Sequence, residues 1–146
     1  MKIAMGSDHA GFKLKGEIKR YLEENNYEII DCGTDSEERC DYPDFGHKVG
    51  KTVSSKEADF GIVICGSGIG ISIACNKVKG IRAALCSEPL SAKLSRNHNN
   101  CNVLAMGARL IGLDMAKEVV HTFLNSDFEG GRHIGRVNKI EEDIWV

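Results

Sequence analysis

The chain has 146 residues, of which 42% are hydrophobic and 27% are charged. These values match one globular domain with a single core and argue against a multidomain protein. The formal net charge of -2 provides no basic surface for nucleic-acid phosphates. Charge and glycine come too early in the chain for an export signal, and the longest uncharged run, residues 60–76, is shorter than the ~20 residues of a membrane span. We therefore expect a cytoplasmic protein with neither a nucleic-acid nor a membrane partner.

Six cysteines are spread along the chain without a Cys-x-x-Cys pair. Disulfides persist in oxidising compartments, so a disulfide framework is not expected in a chain without an export signal. We predict free thiols, most of which serve as small apolar core residues.

The first half of the chain alternates short apolar runs with amphipathic patterns, which is typical of an α/β fold. Strands are predicted at residues 2–5, 27–31 and 60–65, and the last is a continuous apolar run of the kind found in central parallel strands. Helices are predicted over residues 12–25 and from Pro43 onwards. Both helices carry apolar residues at helical spacing, namely Leu14, Ile18, Tyr21 and Leu22 in the first and Phe45, Val49 and Val53 in the second.

The second half continues the alternation, with strands predicted at residues 81–85 and 103–106. One helix follows the glycine loop at residues 66–70, and another begins at Pro89 and ends at the pair Asn99-Asn100. A further helix is marked by apolar residues at helical spacing, namely Leu113, Ala116, Val120 and Phe123. After Gly130-Gly131, a last helix is expected with Val137, Ile140 and Ile144 inward. The pattern predicts a three-layer α/β/α sandwich around a five-stranded parallel sheet, Rossmann-like or flavodoxin-like, forming a single domain over residues 1–146.

The carboxyl ends of parallel strands meet at one edge of a sheet, where open α/β sheets bind their ligands. Asp8 and His9 follow the first predicted strand, Cys65 ends the third, and Arg109 comes just after the fifth. A carboxylate, an imidazole, a thiol and a guanidinium are therefore expected together, which is a reactive combination. For Asp8 and His9, a helix N-cap and its neighbour is the alternative interpretation.

The loop Gly66-Ser67-Gly68-Ile69-Gly70 joins the third strand to a helix, where free backbone N–H groups favour an anion or a developing oxyanion. Its spacing is neither that of a dinucleotide loop nor that of a Walker loop. Cys65 directly precedes the loop, and the positive end of the helix favours its thiolate, so that it could act as a nucleophile or a base. A strand-ending buried cysteine beside a tightly packed turn is the alternative.

Further candidate groups lie on the predicted helices. His98 is near a helix C-terminus, where a cation is stabilised, and this suits either a proton donor or a simple capping residue. Arg132 and Arg136 are one turn apart and could grip a phosphate together, or form an exposed basic face. A zinc site from His98 and Cys101 would have an incomplete ligand set.

Several motifs stand in order along the chain: Gly6-Ser7-Asp8-His9-Ala10-Gly11-Phe12, Asp41-Tyr42-Pro43, Cys65-Gly66-Ser67-Gly68-Ile69-Gly70-Ile71-Ser72-Ile73-Ala74, Asn76-Lys77, Gly80-Ile81-Arg82-Ala83, Ser95-Arg96-Asn97-His98-Asn99 and Glu129-Gly130-Gly131-Arg132-His133. Together they closely resemble the type B ribose-5-phosphate isomerases, in the sugar-phosphate isomerase family that also holds allose- and galactose-6-phosphate isomerases. The resemblance covers nearly the whole chain.

The resemblance implies isomerisation of ribose 5-phosphate to ribulose 5-phosphate without a metal or an organic cofactor. Cys65 corresponds to the general base of the family and His98 to the acid that opens the furanose ring. Ser67 could pass protons between two sugar oxygens, and the alternative for its hydroxyl is a local hydrogen bond. Substrate contacts are implied for Asp8, His9, Tyr42, Gly66, Ser67, Gly68, Ile69, Gly70 and Asn99, with Arg109, Arg132 and Arg136 on the substrate and its phosphate.

The resemblance also implies a homodimer or a dimer of dimers, in which His98 and Asn99 serve the neighbouring subunit's Cys65. Allose 6-phosphate and galactose 6-phosphate are the alternative substrates. A noncatalytic nucleotide- or anion-binding module on a flavodoxin-like sheet is the alternative from a different functional class.

Overall fold

The computed structural model describes residues 1–142, which form a parallel sheet covered by helices on both faces. The strands are Lys2–Ser7 (β1), Glu28–Asp31 (β2), Phe60–Cys65 (β3), Ala83–Leu85 (β4) and Val103–Gly107 (β5). The helices are Phe12–Glu24 (α1), Tyr42–Ser54 (α2), Ile69–Asn76 (α3), Pro89–Asn99 (α4), Leu113–Leu124 (α5) and Arg132–Glu141 (α6). The predicted fold class is confirmed.

The strands follow the order β2-β1-β3-β5-β4. β4 is therefore at the edge of the sheet, and β5 lies between β3 and β4. Because β5 lies directly beside β3, Gly107 is opposite Cys65. On the other side of β3, Ser7 of β1 is opposite Ile64. The carboxyl ends of β1, β3 and β5 therefore lie side by side at one edge of the sheet.

Two hydrophobic cores cover the sheet, one on each face. Along β3, Ile62 and Ile64 belong to the core under α1, α4 and α5, whereas Val63 and Cys65 belong to the core under α2 and α3. Side chains alternate between the faces of a strand, and both faces of β3 are buried, so its sequence is an unbroken apolar run. Within residues 1–142, no helix has the length and apolar character needed to cross a membrane.

The predicted helix signals are largely confirmed. α2 begins one residue before Pro43, because proline suits the first turn of a helix, where its missing N–H is not needed. Asn100 adopts a left-handed conformation at the end of α4, with φ 48° and ψ 44°. The inward face predicted for the last helix is partly wrong: Val137 is buried, but Ile140 is 58% exposed, because α6 packs mainly against α4 and leaves its last turn uncovered. Ile144 lies outside the described residues.

A buried lysine fixes the segment that follows β2. The Lys15 side chain is 3% exposed, and its Nζ donates to Asp31 Oδ1 at 2.7 Å and to the Thr34 carbonyl at 2.8 Å. Desolvation alone would raise the pKa of Asp31, but the hydrogen bonds from Lys15 and Gly33 outweigh it and lower this pKa. The ion pair thereby anchors the start of the loop that leads to Cys40 and α2.

Candidate active site

A crevice of about 540 Å³ opens at the carboxyl ends of β1 and β3, where the sequence predicts a site. It is lined by Asp8, His9, Ala10, Tyr42, Cys65, Gly66, Ser67, Ile69, Gly70, Ile73 and Arg109. Of these, only Ala10 and Ile73 were not among the predicted site residues. Both are apolar residues that lie within the motifs quoted above, which is the signal that could have indicated them.

Cys65 ends β3 at the base of this crevice and is 4% exposed. The Gly68 backbone N–H donates to its Sγ at 3.1 Å, which stabilises negative charge on the sulfur. Gly68 adopts φ +77°, and a Cβ there would lie 2.5 Å from Leu85 Cδ1 and 2.7 Å from the carbonyl carbon of Met106. The glycine is therefore required for the turn that aims this N–H at the sulfur.

The six cysteines are free thiols, and Cys65 differs from the other buried ones in its access to the crevice. Burial raises the pKa of Cys75 and of Cys86 to about 12 and that of Cys101 to about 11. Burial also raises the pKa of Cys32. These four thiols stay protonated near neutral pH, as expected of apolar core residues.

Ser67 has a local hydrogen bond and a free proton. Its Oγ accepts the Ile69 backbone N–H at 3.2 Å, so the predicted local bonding of this hydroxyl is present. Because the oxygen is the acceptor in that bond, the hydroxyl proton remains available for a group in the crevice. Ser67 can therefore be both fixed by the loop and active as a donor.

Asp8 and His9 leave β1 at the opposite wall of the crevice. Asp8 is buried, and its Oδ1 accepts the Gly11 N–H at 3.1 Å, which closes the turn before α1. The helix N-cap itself is Gly11, so the alternative that Asp8 is merely the N-cap is wrong. His9 Nδ1 lies 3.2 Å from the Cys40 nitrogen and 3.3 Å from the Cys40 oxygen, which leaves Nε2 for a ligand.

Arg109 and Tyr42 reach the crevice because the neighbouring glycines carry no side chain. The Arg109 N–H donates to the Gly66 carbonyl at 3.0 Å, and a Cβ on Gly66 would lie 3.0 Å from Arg109 Nη1. A Cβ on Gly70 would lie 2.5 Å from the Tyr42 ring. The glycine loop therefore seats a guanidinium on one side and an aromatic ring on the other.

The remaining predicted side chains form a second group, which does not line the crevice. His98 and Asn99 are at the C-terminal end of α4, and Arg132 and Arg136 are on the exposed face of α6. The His98 ring stacks on the ring of buried His133, with centroids 4.5 Å apart and an angle of 14° between the planes. The structure thus divides the predicted site into a crevice group and a group around His98.

His133 and Glu129 have no role predicted from the sequence, although both lie in the motif Glu129-Gly130-Gly131-Arg132-His133. Glu129 Oε2 is 3.6 Å from His133 Nε2 and 4.0 Å from His98 Nε2. Desolvation lowers the pKa of His133, and the positive charges of His98 and Arg132 lower it further. The four-residue spacing of Glu129 and His133 is the signal that could have indicated the pair.

His98, Glu129 and His133 are also the metal-ligand set that the structure offers within residues 1–142, since their ligand atoms lie within 4.8 Å of one another. The two imidazole rings are nearly parallel, so their nitrogen lone pairs do not converge on one ion. The charges of Arg132 and Arg136 act on the same histidine and oppose a cation. This arrangement does not fit a metal site, and Cys101, the other residue of the considered zinc pair, lies in the hydrophobic core.

A second hollow, of about 200 Å³, lies away from the strand ends. It sits between the C-terminal ends of α1 and α5, and the two side-chain amides that line it are already used. The amides of Asn25 and Asn125 donate to the carbonyls of Tyr21 and His121 in their own helices. It therefore offers less binding chemistry than the crevice.

Comparison with known proteins agrees with the motifs. Residues 3–140 match the family described as Ribose/Galactose Isomerase. The chain belongs to this family. The resemblance indicated by the motifs is thereby confirmed, and with it the expectation that the chain is an isomerase.

Members of the family resemble the chain over almost its full length. Ribose-5-phosphate isomerase B of Escherichia coli (strain K12) is 55% identical over 139 residues, which cover 95% of this chain and 93% of that protein. The structure of ribose-5-phosphate isomerase B of Clostridium thermocellum has a TM-score of 0.96 and 56% identity, covering 97% of this chain and 95% of that chain. The type B ribose 5-phosphate isomerase of Trypanosoma brucei has a TM-score of 0.93 at 45% identity, covering 96% of each chain.

Proposed function

We propose that the chain is one isomerase domain that interconverts ribose 5-phosphate and ribulose 5-phosphate. The observation that carries the proposal is the Cys65 sulfur at the base of the crevice, with a backbone N–H directed at it. The relatives named as ribose-5-phosphate isomerases support the choice of substrate. Allose 6-phosphate and galactose 6-phosphate, which are one carbon longer, are the alternatives.

In the proposed reaction, the Cys65 thiolate removes the proton from C2 of the open-chain aldose. The electron pair of that C–H bond forms the C1–C2 double bond of an enediolate, and O1 takes up the negative charge. The thiol then returns its proton to C1, while Ser67 relays the O2 proton to O1 and C2 becomes the carbonyl. Fixed donors near the developing oxyanion lower the barrier most when they are already oriented, as the glycine loop is.

The group around His98 has the complementary roles. His98 protonates the ring oxygen as the bond from that oxygen to C1 breaks, and the anomeric hydroxyl gives its proton to water as it becomes the C1 carbonyl. Asn99 contacts the sugar. In the crevice, Asp8, His9, Tyr42 and the loop from Gly66 to Gly70 contact the sugar. Arg109, Arg132 and Arg136 hold the substrate and its dianionic phosphate, whose binding energy orients the reacting carbons.

We propose further that a complete site forms between two copies of the chain, in a homodimer or a dimer of dimers. The separation of His98 from the crevice within one chain supports this arrangement. Pairs of exposed apolar residues one helical turn apart on two helices also support it, since contiguous apolar patches on a surface often mark a protein interface. They are Ile69 and Ile73 on α3 and Leu90 and Leu94 on α4.

A substrate panel tests the proposed reaction. Purified protein is assayed with ribose 5-phosphate, allose 6-phosphate and galactose 6-phosphate, and the highest kcat/KM is expected with ribose 5-phosphate. A higher kcat/KM with a hexose phosphate would reassign the substrate. Absence of isomerisation with all three sugars, together with a nucleotide retained through purification, would favour the noncatalytic binding module.

Replacing Arg136 with alanine is expected to raise KM for ribose 5-phosphate by roughly 10- to 100-fold. This factor corresponds to the loss of one or two charge-assisted hydrogen bonds to the phosphate. The turnover number should change less than KM, because Arg109 and Arg132 still hold the phosphate and orient the reacting carbons. Lys139→Ala, an exposed cation on the same helix, is the matched control. An equal loss with unphosphorylated ribose would contradict a phosphate contact.

A further inference from the structure

Arg82 joins the ends of two helices, although neither the fold nor the proposed chemistry has given it a role. Its Nε donates to the Asn99 carbonyl at 3.0 Å and to the Asn100 carbonyl at 3.2 Å. Its Nη2 donates to the same Asn100 carbonyl at 2.9 Å. Its Nη1 pairs with the carboxylate of Glu141 on α6. The Arg82 side chain is 15% exposed, and that of Glu141 is 36% exposed.

The end of α4 is closed without help from Arg82. The left-handed Asn100 returns its N–H to the Arg96 carbonyl at 3.1 Å, and the Cys101 N–H reaches the Ser95 carbonyl at 3.0 Å. Buried Arg96 also donates to Asn100 Oδ1 and to the Cys101 carbonyl. Termination of the helix is therefore secured, and the carbonyls bound by Arg82 are those of the two residues that directly follow His98.

α6 is the helix that most needs such a link. Within residues 132–141 only His133 and Val137 are buried, so little hydrophobic packing sets its position. It carries Arg132 and Arg136, the proposed phosphate contacts, and its His133 stacks on His98. The Arg82–Glu141 pair at its far end and the histidine stack at its near end together hold α6 against α4.

We propose that Arg82 is a positioning residue, which sets His98 and Asn99 in a fixed relation to the arginines of α6. Its guanidinium fork suits this task, because its planar donors bind two carbonyls and a carboxylate at once. Its effect on turnover rests on the proposed function, whereas its effect on the histidine pair does not. The Gly80-Ile81-Arg82-Ala83 motif thus acts on the site from outside it.

The test compares Arg82→Gln, Arg82→Lys and Glu141→Gln with wild type, and Arg20→Gln is the matched control, since Arg20 forms an exposed ion pair with Glu17 on α1. Misplacing a catalytic group by about 1 Å costs on the order of 10²-fold in rate, so Arg82→Gln should lower kcat/KM by roughly that factor. Arg82→Lys should recover part of the loss. Glu141→Gln releases only α6 and should raise KM while largely preserving kcat. Arg20→Gln should change neither parameter.

Two readouts separate positioning from a general loss of stability. In a His98→Asn background, Arg82→Gln should lower kcat by a much smaller factor than in wild type, because one of the groups that it positions is gone; an unchanged factor would overturn the proposal. Ring signals of His98 and His133 in NMR spectra should shift or broaden in Arg82→Gln, and unchanged signals would also overturn it. The NMR readout needs no turnover. If the wild-type chain shows no isomerase activity, the proposed function is refuted, but the NMR comparison still tests whether Arg82 positions the histidine pair. Should Arg82→Gln fail to fold, Arg82→Lys and Glu141→Gln provide the same comparisons.

Discussion

Replacing Cys65 with alanine is expected to lower kcat for ribose 5-phosphate by at least the ~10²–10⁴-fold typical of a lost general base. In the proposed reaction the sulfur takes the C2 proton, and the Gly68 N–H at 3.1 Å favours its anionic form. KM should change much less, because the phosphate and sugar contacts remain. Steady-state kinetics with ribose 5-phosphate measures both parameters.

Two variants control this experiment. Cys65→Ser keeps a hydrogen-bond acceptor for Gly68, and it should also be nearly inactive, because a serine hydroxyl is a far weaker acid than a thiol. Cys40→Ala removes a half-buried thiol outside the crevice and should retain activity. In the Cys40→Ala chain, which lacks the more exposed thiol, iodoacetamide should alkylate Cys65, with protection by ribose 5-phosphate. Near wild-type turnover in folded Cys65→Ala would exclude this residue as the base.

Mixing Cys65→Ala and His98→Ala chains, each nearly inactive alone, is expected to restore about a quarter of wild-type activity. If one chain supplies Cys65 and its partner supplies His98, each mixed dimer contains one intact site and one doubly altered site. Random association makes about half of the dimers mixed, so about one site in four is intact. Coexpression of the two variants followed by an isomerase assay measures the recovery.

The matched control is a mixture of Cys65→Ala with a chain that carries both substitutions. No pairing of those chains brings an unaltered Cys65 to an unaltered His98, so no activity should return. Sedimentation of the wild-type chain establishes whether the assembly is a dimer or a dimer of dimers. If the activity of the first mixture equals the mean activity of the two single variants, each site lies within one chain, and the shared-site proposal is wrong.

Local sequence patterns were enough to predict most of the elements and the crevice. Both ends of β3 were predicted correctly, because a short unbroken apolar run between polar segments is typical of a parallel strand that is buried on both faces. Pro89 and Asn100 marked the two ends of α4, since each residue type suits one helix terminus. Asp8, Cys65 and Arg109 were expected together because parallel strands bring their carboxyl ends to one edge.

Contacts between distant segments could not be predicted in this way. Lys15 has the sequence context of an exposed helical lysine, yet on α1 it is buried against Asp31, which ends β2. Ile140 has the spacing of a core residue, yet it is exposed because α6 has too little surface to pack against. The pairing of His133 with His98 depends on how α6 crosses α4, and no short pattern encodes a crossing angle.

The amino-acid sequence alone was sufficient for the α/β class, the glycine loop, the thiol ahead of it and the separate motifs, because these depend on neighbours a few residues apart. Tertiary structure was needed to show that β5 lies between β3 and β4, which brings Arg109 against Gly66, and that His98 lies away from the crevice in its own chain. The physical reason is that strand order and helix placement depend on the total free energy of burying apolar surface over the whole sheet. Each residue contributes only a small part of that free energy.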